Sequence, residues 1–208
     1  AAFIIFSKEN VTTLIASYIG VTSLIFCAKG NPAGQILMII FSIIYAVISY
    51  SFAYYGEMIT YLGMTLPMAV FSLVSWLKNP YKGNRAEVTV NKIKGNEWVF
   101  MLILSATVTF IFYFILRHFN TANIIPSTIS ITTSFIAAYL TFRRTTYFGL
   151  AYAINDIVLI VMWIMASAIN SEYIPVVVCF VVFFVNDIYG FINWIKMQKR
   201  QAFPKQMH

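Results

Sequence analysis

Asp156 is the residue whose setting most demands a chemical explanation. It stands in LAYAINDIVLIVMWIM, residues 150–165, where almost every neighbour is apolar. Tyr152 lies one helical turn before it and Trp163 two turns after, on one stripe, with Asn155 at the edge. A carboxylate near the centre of a bilayer costs on the order of 3 kcal/mol or more to insert. The apolar runs proper contain no Lys or Arg to neutralise it. Asp156 must therefore carry a proton, bonded to a neighbouring helix, or face water and a cationic ligand. Aromatic faces beside a carboxylate suit a flat, positively charged, partly polar molecule.

The Asn-Asp-Ile triplet of residues 155–157 returns at 186–188, inside VVFFVNDIYGFINW. There Asn186, Gly190 and Asn193 share a stripe, while Asp187 is offset from it and reads as structural. In the second apolar run Gln35 and Tyr45 fall on one stripe with Met38, Ser42 and Ser49. Carboxamides on facing helices offer paired donors and acceptors to the hydroxyls of a solute. The candidate binding set is thus Tyr152, Asn155, Asp156, Trp163, Asn186, Asn193, Gln35 and Tyr45. Pro67, midway along the third run, frees the carbonyl of Gly63 and makes this pair a candidate hinge. Small-residue stripes (Thr13, Ser17, Gly20 and Ser23; Ser127, Ser130, Ser134 and Thr141) read as close-packing helix faces. Cys27 and Cys179 lack motif spacing and read as inert thiols. His118 and His208 stand alone, so neither a metal site nor a cofactor is expected, nor a catalytic group.

The elements that hold these residues follow from composition. A chain 60% hydrophobic and 10% charged is an integral membrane protein. Seven stretches are long enough to cross as helices, at about 10–28, 32–50, 54–78, 98–117, 123–142, 147–168 and 173–196. Their apolar runs do not alternate, which argues against strands. Pro32, Pro126 and Pro175 open spans, where a missing N–H is harmless. FSLVSWLK (71–78) resembles YGFINWIK (189–196) at an offset of 118, matching Trp76 with Trp194, Lys78 with Lys196 and Tyr45 with Trp163. Parity then matters: an extra crossing between two three-helix units makes them parallel rather than inverted. The expected fold is all-α and integral to the membrane, two parallel three-helix repeats joined by a linker helix (3+1+3). Its parts are an extracytoplasmic segment (1–9), a first bundle (10–78), a loop (79–97), a linker helix (98–117), a second bundle (118–196) and a tail (197–208). The opening AAFIIF is too short to span and lacks a basic leader, so it does not read as a signal peptide. In the loop, EVTVNKI alternates and predicts a short ribbon closed near Lys94-Gly95-Asn96. The fourth run is poor in polar groups and reads as a peripheral, lipid-facing helix.

Charge sets the orientation. Lys29, a cluster from Lys78 to Lys94, Arg143 and Arg144, and the tail from Lys196 onward fall on one side; the other holds Lys8 and Arg117. The positive side marks the cytoplasm, leaving the N-terminus outside and the C-terminus inside. The net charge of +7 is accordingly topological, and with no basic soluble module a nucleic-acid partner is excluded. Trp76 and Trp194, each next to a Lys, read as interfacial anchors. A membrane-embedded enzyme handling phosphate needs clustered His, Asp and Arg or Lys at an interface, which this sequence lacks.

The Y-G-x-x-x-W-x-K ending of the last run (189–196), the earlier W-x-K (76–78), the NPYKGN…EVTV loop and the aromatic-rich sixth run resemble the PnuC vitamin transporters. The likeness covers about residues 10 to 200. It implies a bacterial inner-membrane carrier for nicotinamide riboside, with thiamine or another ribosylated or cationic vitamin as the alternative substrate. It also implies a fold similar to the SWEET sugar carriers, assembly as a homotrimer, and uptake down the gradient with trapping by cytoplasmic phosphorylation. Proton coupling through Asp156 is the variant mechanism. In that family the sixth span shows a Trp-rich pattern at the substrate; aligned on Asp156, its two Trp positions fall at Tyr152 and Gly149. The expected device is a uniporter rocking two units around a wet mid-depth site between spans 2, 3, 6 and 7.

Overall fold

The computed structural model describes residues 11–51, 55–121, 123–169, 171 and 174–202. The 1–9 segment, Lys205 and His208 lie outside the described residues, as do the side chains of Thr13, Ser17 and Pro175. The chain forms α1 (Val11–Ala28), α2 (Ala33–Ser51) and α3 (Tyr55–Leu77). Two short strands follow, β1 (Pro80–Tyr81) and β2 (Asn84–Val88). Then come α4 (Gly95–His118), α5 (Ile124–Phe142), α6 (Tyr147–Ser167) and α7 (Ile174–Ala202). The protein is therefore an all-α membrane protein of seven described helices, and α2 through α7 are long and apolar enough to cross. Their outward faces carry large exposed apolar side chains such as Val47, Ile103, Phe110 and Val185.

Packing divides these helices in a regular way. α2 lies between α1 and α3, and α6 lies between α5 and α7. Across the divide α3 packs on α5 and α7 packs on α1. The first helices end alike. Gly30 and Arg144 both take the left-handed conformation, with φ of 68° and 57°. Each follows a helix whose last carbonyls accept from the turn: Gly30 N bonds Cys27 O and Asn31 N bonds Phe26 O, while Arg144 N bonds Thr141 O and Thr145 N bonds Leu140 O.

Those turns are capped from the opposite group of helices. Trp76 Nε1 donates to Thr141 O, and Trp194 Nε1 donates to Cys27 O, both at 2.9 Å. The residue before each Trp bonds the next carbonyl: Ser75 Oγ donates to Phe142 O and Asn193 Nδ2 to Ala28 O, both at 2.8 Å. Helix C-termini leave orphan carbonyls, and here a polar-Trp dipeptide gives Ala28 O and Phe142 O a donor, and Cys27 O and Thr141 O a second one. Trp76 and Trp194 are 0% exposed with ring centroids 5.4 Å apart. They are core residues, not interfacial anchors. Their N–H groups found helix carbonyls instead of the water interface.

The loop after α3 also differs from its sequence expectation. Its ribbon is the Pro80–Val88 hairpin, turning at Lys82 and Gly83, whereas Lys94 to Asn96 begin α4. Positive φ at Lys82 and Gly83 is what a tight hairpin needs. The segment after it bonds both left-handed residues, Val88 N to Gly30 O and Asn91 N to Arg144 O. Gln201, in a C-terminal extension of α7, holds the same segment through Val88 O and Val90 N. Arg200 pairs with Glu87, and Arg143 with Glu97. α4 is less peripheral than its sequence implied: Met101, Ser105, Phe112 and Leu116 are buried, and it packs on α5.

Candidate functional site

Asp156 stands nine residues into α6 and Asp187 nine residues before Lys196 on α7, so both lie at mid-depth. They are 4% and 7% exposed. The two acids lie within electrostatic range of each other. Asp156 Oδ2 is buried and has no hydrogen-bond partner among the described residues. Asp187 is thus half of the acidic centre, which its offset from the Asn186 stripe concealed. The usable signal was the repeated triplet itself, carried on two adjacent, oppositely directed helices.

Glycine makes this approach possible. A Cβ at Gly149 would lie 2.8 Å from both Asp187 O and Phe191 N, so α6 rests directly on the α7 backbone. A Trp at this position, as in the family's pattern, does not fit this packing.

Tyr152 lies within electrostatic range of Cys27, Asp187 and Asp156. Gln35, 3% exposed, donates from Nε2 to Cys27 Sγ at 3.3 Å. Tyr152 and Asp156 therefore gather near Cys27 and Asp187, with Gln35 on Cys27, and sequence reasoning had left Cys27 and Asp187 aside. Toward the basic end an aromatic column closes the space. Phe148 is 6.4 Å from Tyr152 and 4.8 Å from Trp194, which stacks on Trp76.

Asn155, Asn193 and Tyr45 sit elsewhere. Asn155 faces α5, with Thr133, Ser134 and Ser130 hydroxyls 2.7, 3.0 and 3.4 Å from its Oδ1. It joins two helices, and the Ser stripe of α5 is its partner rather than a bare packing face. Asn193 caps α1, as above. Tyr45 packs in an aromatic cluster with Phe41 and Tyr61, at 5.3 and 4.7 Å. Trp163 is half-buried, seven residues beyond Asp156. Gly63 lies in a π-helical turn, Tyr61–Thr65, that ends just before Pro67, with Leu66 N bonded to Tyr61 O. The widened turn accommodates the proline ring where an α-turn would clash.

Two cavities of about 280 and 270 Å3 lie at the basic end. Lys29, Glu87, Asn193, Lys196, Met197 and Arg200 line the first.

A bundle of apolar helices with two acids enclosed among them defines a multi-pass membrane protein that holds polar groups inside its helical packing. The nicotinamide mononucleotide transporter family matches residues 10–196, and the chain belongs to that family, one of transporters and not of enzymes. It is 26% identical over 206 residues to the nicotinamide riboside transporter PnuC of Neisseria mucosa, covering 97% of this chain and 78% of that protein. It is 22% identical over 197 residues to the PnuC of Haemophilus influenzae, covering 93% and 83%. Among solved structures it is similar to the crystal structure of the vitamin B3 transporter PnuC, with a TM-score of 0.77 and 25% identity, covering 95% of this chain and 86% of that one.

Proposed function

We propose that this chain carries nicotinamide riboside across a bacterial inner membrane by facilitated diffusion. The carrying observation is the enclosed acidic pair beside Tyr152, with Asp156 Oδ2 left without a partner. The riboside bears one positive charge on a flat ring and hydroxyls on its sugar. Asp156 balances the charge, Tyr152 and Trp163 stack on the ring, and Gln35 and Asn186 address the hydroxyls and amide.

The transport cycle rocks two parallel three-helix units, residues 10–78 and 118–196, joined by α4. The reciprocal Trp caps support this reading, because each unit's third helix closes the other's first helix in the same way. The Trp76–Trp194 floor, with the 88–91 segment across both turns, is the gate on the basic side. Positive residues place that side in the cytoplasm. Gly63 and Pro67 flex α3 as the units move. The working unit is a homotrimer, and phosphorylation inside the cell traps the vitamin.

The test is a binding screen of the purified protein against nicotinamide riboside, thiamine, riboflavin and nucleosides. A ligand at 100 times its Kd stabilises by about 2.7 kcal/mol, which a thermal shift reads easily. The riboside, or thiamine in its place, should stabilise the protein. Riboflavin or a neutral nucleoside as sole stabiliser would refute the charge argument.

A further inference from the structure

We propose that the cavity between the end of α1 and the last turns of α7 binds the phosphate group of an anion and, when occupied, ties the two helices together. The site stands on its own geometry, whatever solute the protein carries.

The walls come from three parts of the chain. Lys29 stands just beyond α1, Glu87 lies in β2, and Asn193, Lys196, Met197 and Arg200 line the cavity from α7. Each part is held in place. Asn193 Nδ2 donates to Ala28 O at 2.8 Å, and Val88 N donates to Gly30 O at 3.0 Å. Met197 packs so closely on Gly30 that a Cβ there would meet its Cε at 2.8 Å. Glu87 Oε1 accepts from both Arg200 and Gln201, which fixes β2 against α7. The cavity is therefore framed before any ligand arrives.

Three cations and one carboxylate line this space. The carboxylate pairs with Arg200, and neither Lys29 nor Lys196 forms an ion pair among the described residues. The loop-charge rule explains why basic residues collect on this side of the membrane. It does not explain why two unpaired lysines share one framed cavity with an arginine. A cleft lined by one sign of charge concentrates the opposite ion. A phosphate monoester carries about −1.5 to −2 charges at pH 7 and three acceptor oxygens. It answers both lysines and leaves an oxygen for the arginine fork. At about 280 Å3 the cavity lies just below the range of roughly 300–1,000 Å3 for drug-sized ligands, so a phosphate with a small attached group fits. Lys29 follows α1 and Lys196 belongs to α7, so one anion between them adds charge-assisted bonds where these helices pack. Two sources offer this chemistry, a soluble phosphate ester and an anionic lipid headgroup.

The test uses the full chain in a neutral detergent, with glycerol 3-phosphate as the soluble probe and glycerol as its uncharged control. Calorimetry should show binding of the phosphate and none of glycerol. Affinity should fall about threefold or more in Lys29→Gln and in Lys196→Gln, and at least about tenfold in the double variant. It should stay within about twofold in Lys199→Gln, which removes an exposed neighbouring charge outside the cavity. Arg at both positions, Lys29→Arg with Lys196→Arg, should keep binding within about threefold. For the lipid source, thermal unfolding is compared in phosphatidylcholine nanodiscs with and without phosphatidic acid. A rise in Tm that the double Gln variant loses assigns the site to the headgroup. The tie between helices is read on Cys27 at the end of α1, with Cys179→Ala leaving it as the single thiol. Bound phosphate should slow its alkylation at least about threefold, and should not do so in the double Gln variant. Binding from neither source, or an equal loss in Lys199→Gln, would overturn the site. Binding that leaves Cys27 alkylation unchanged would overturn the tie.

Discussion

Trp76 and Trp194 lie 5.4 Å apart at the centre of the basic end, and each indole N–H caps the first helix of the opposite group. A carbonyl that already accepts from its own turn takes a second donor from a neighbouring helix, and both tryptophans are buried completely. The contact binds the helical groups together where a carrier must part them.

That arrangement predicts equal effects on both sides. Trp76→Phe and Trp194→Phe each remove one donor and should cost about 1 kcal/mol. Truncation to Ala should cost roughly 3–5 kcal/mol. Thermal unfolding of the purified variants measures this. Interfacial anchors would instead show changes within about 0.5 kcal/mol.

Asn155 should behave as a structural residue. Replacing it with Ala removes the acceptor of the Ser134 and Ser130 hydroxyls, while Thr133 keeps Ile129 O and Ser130 O, at a cost of about 1–3 kcal/mol. Stability should fall, while the Kd of the folded protein for its vitamin stays within about threefold. A large loss of affinity at unchanged stability would return Asn155 to the binding site.

Gly149 and Gly63 should respond oppositely to Ala. At Gly149 the added methyl collides with α7 backbone atoms that cannot yield, so it should destabilise by about 1–3 kcal/mol. At Gly63 a Cβ meets Phe112 Cζ at 3.7 Å, an ordinary contact. Gly63→Ala should leave the unfolding temperature unchanged or higher and slow transport if α3 flexes there. Unaltered uptake would remove the hinge.

The helices were legible in the sequence because each apolar run is bounded by Pro, Gly or charge, and six of the runs reappear nearly residue for residue. Tyr152 and Asp156 were legible because a polar stripe on an apolar helix stands out against its background. Contacts between helices were not. Asp187 looked misplaced on its own helix, and only the packing of α6 on α7 puts it near Asp156. Asn193 looked like a ligand group because a stripe does not reveal that its partner is the carbonyl of Ala28. The two Trp-Lys endings were seen as a repeat, yet their burial depends on orphan carbonyls at the far ends of α1 and α5.

The account's central claim is that an alternating-access carrier surrounds the acidic centre. Counterflow in reconstituted vesicles tests it most directly, with labelled nicotinamide riboside outside and unlabelled riboside preloaded inside. The account predicts saturable entry, accelerated by preloading and indifferent to an imposed pH gradient. Linear, non-saturating flux with no acceleration by preloaded substrate would contradict it.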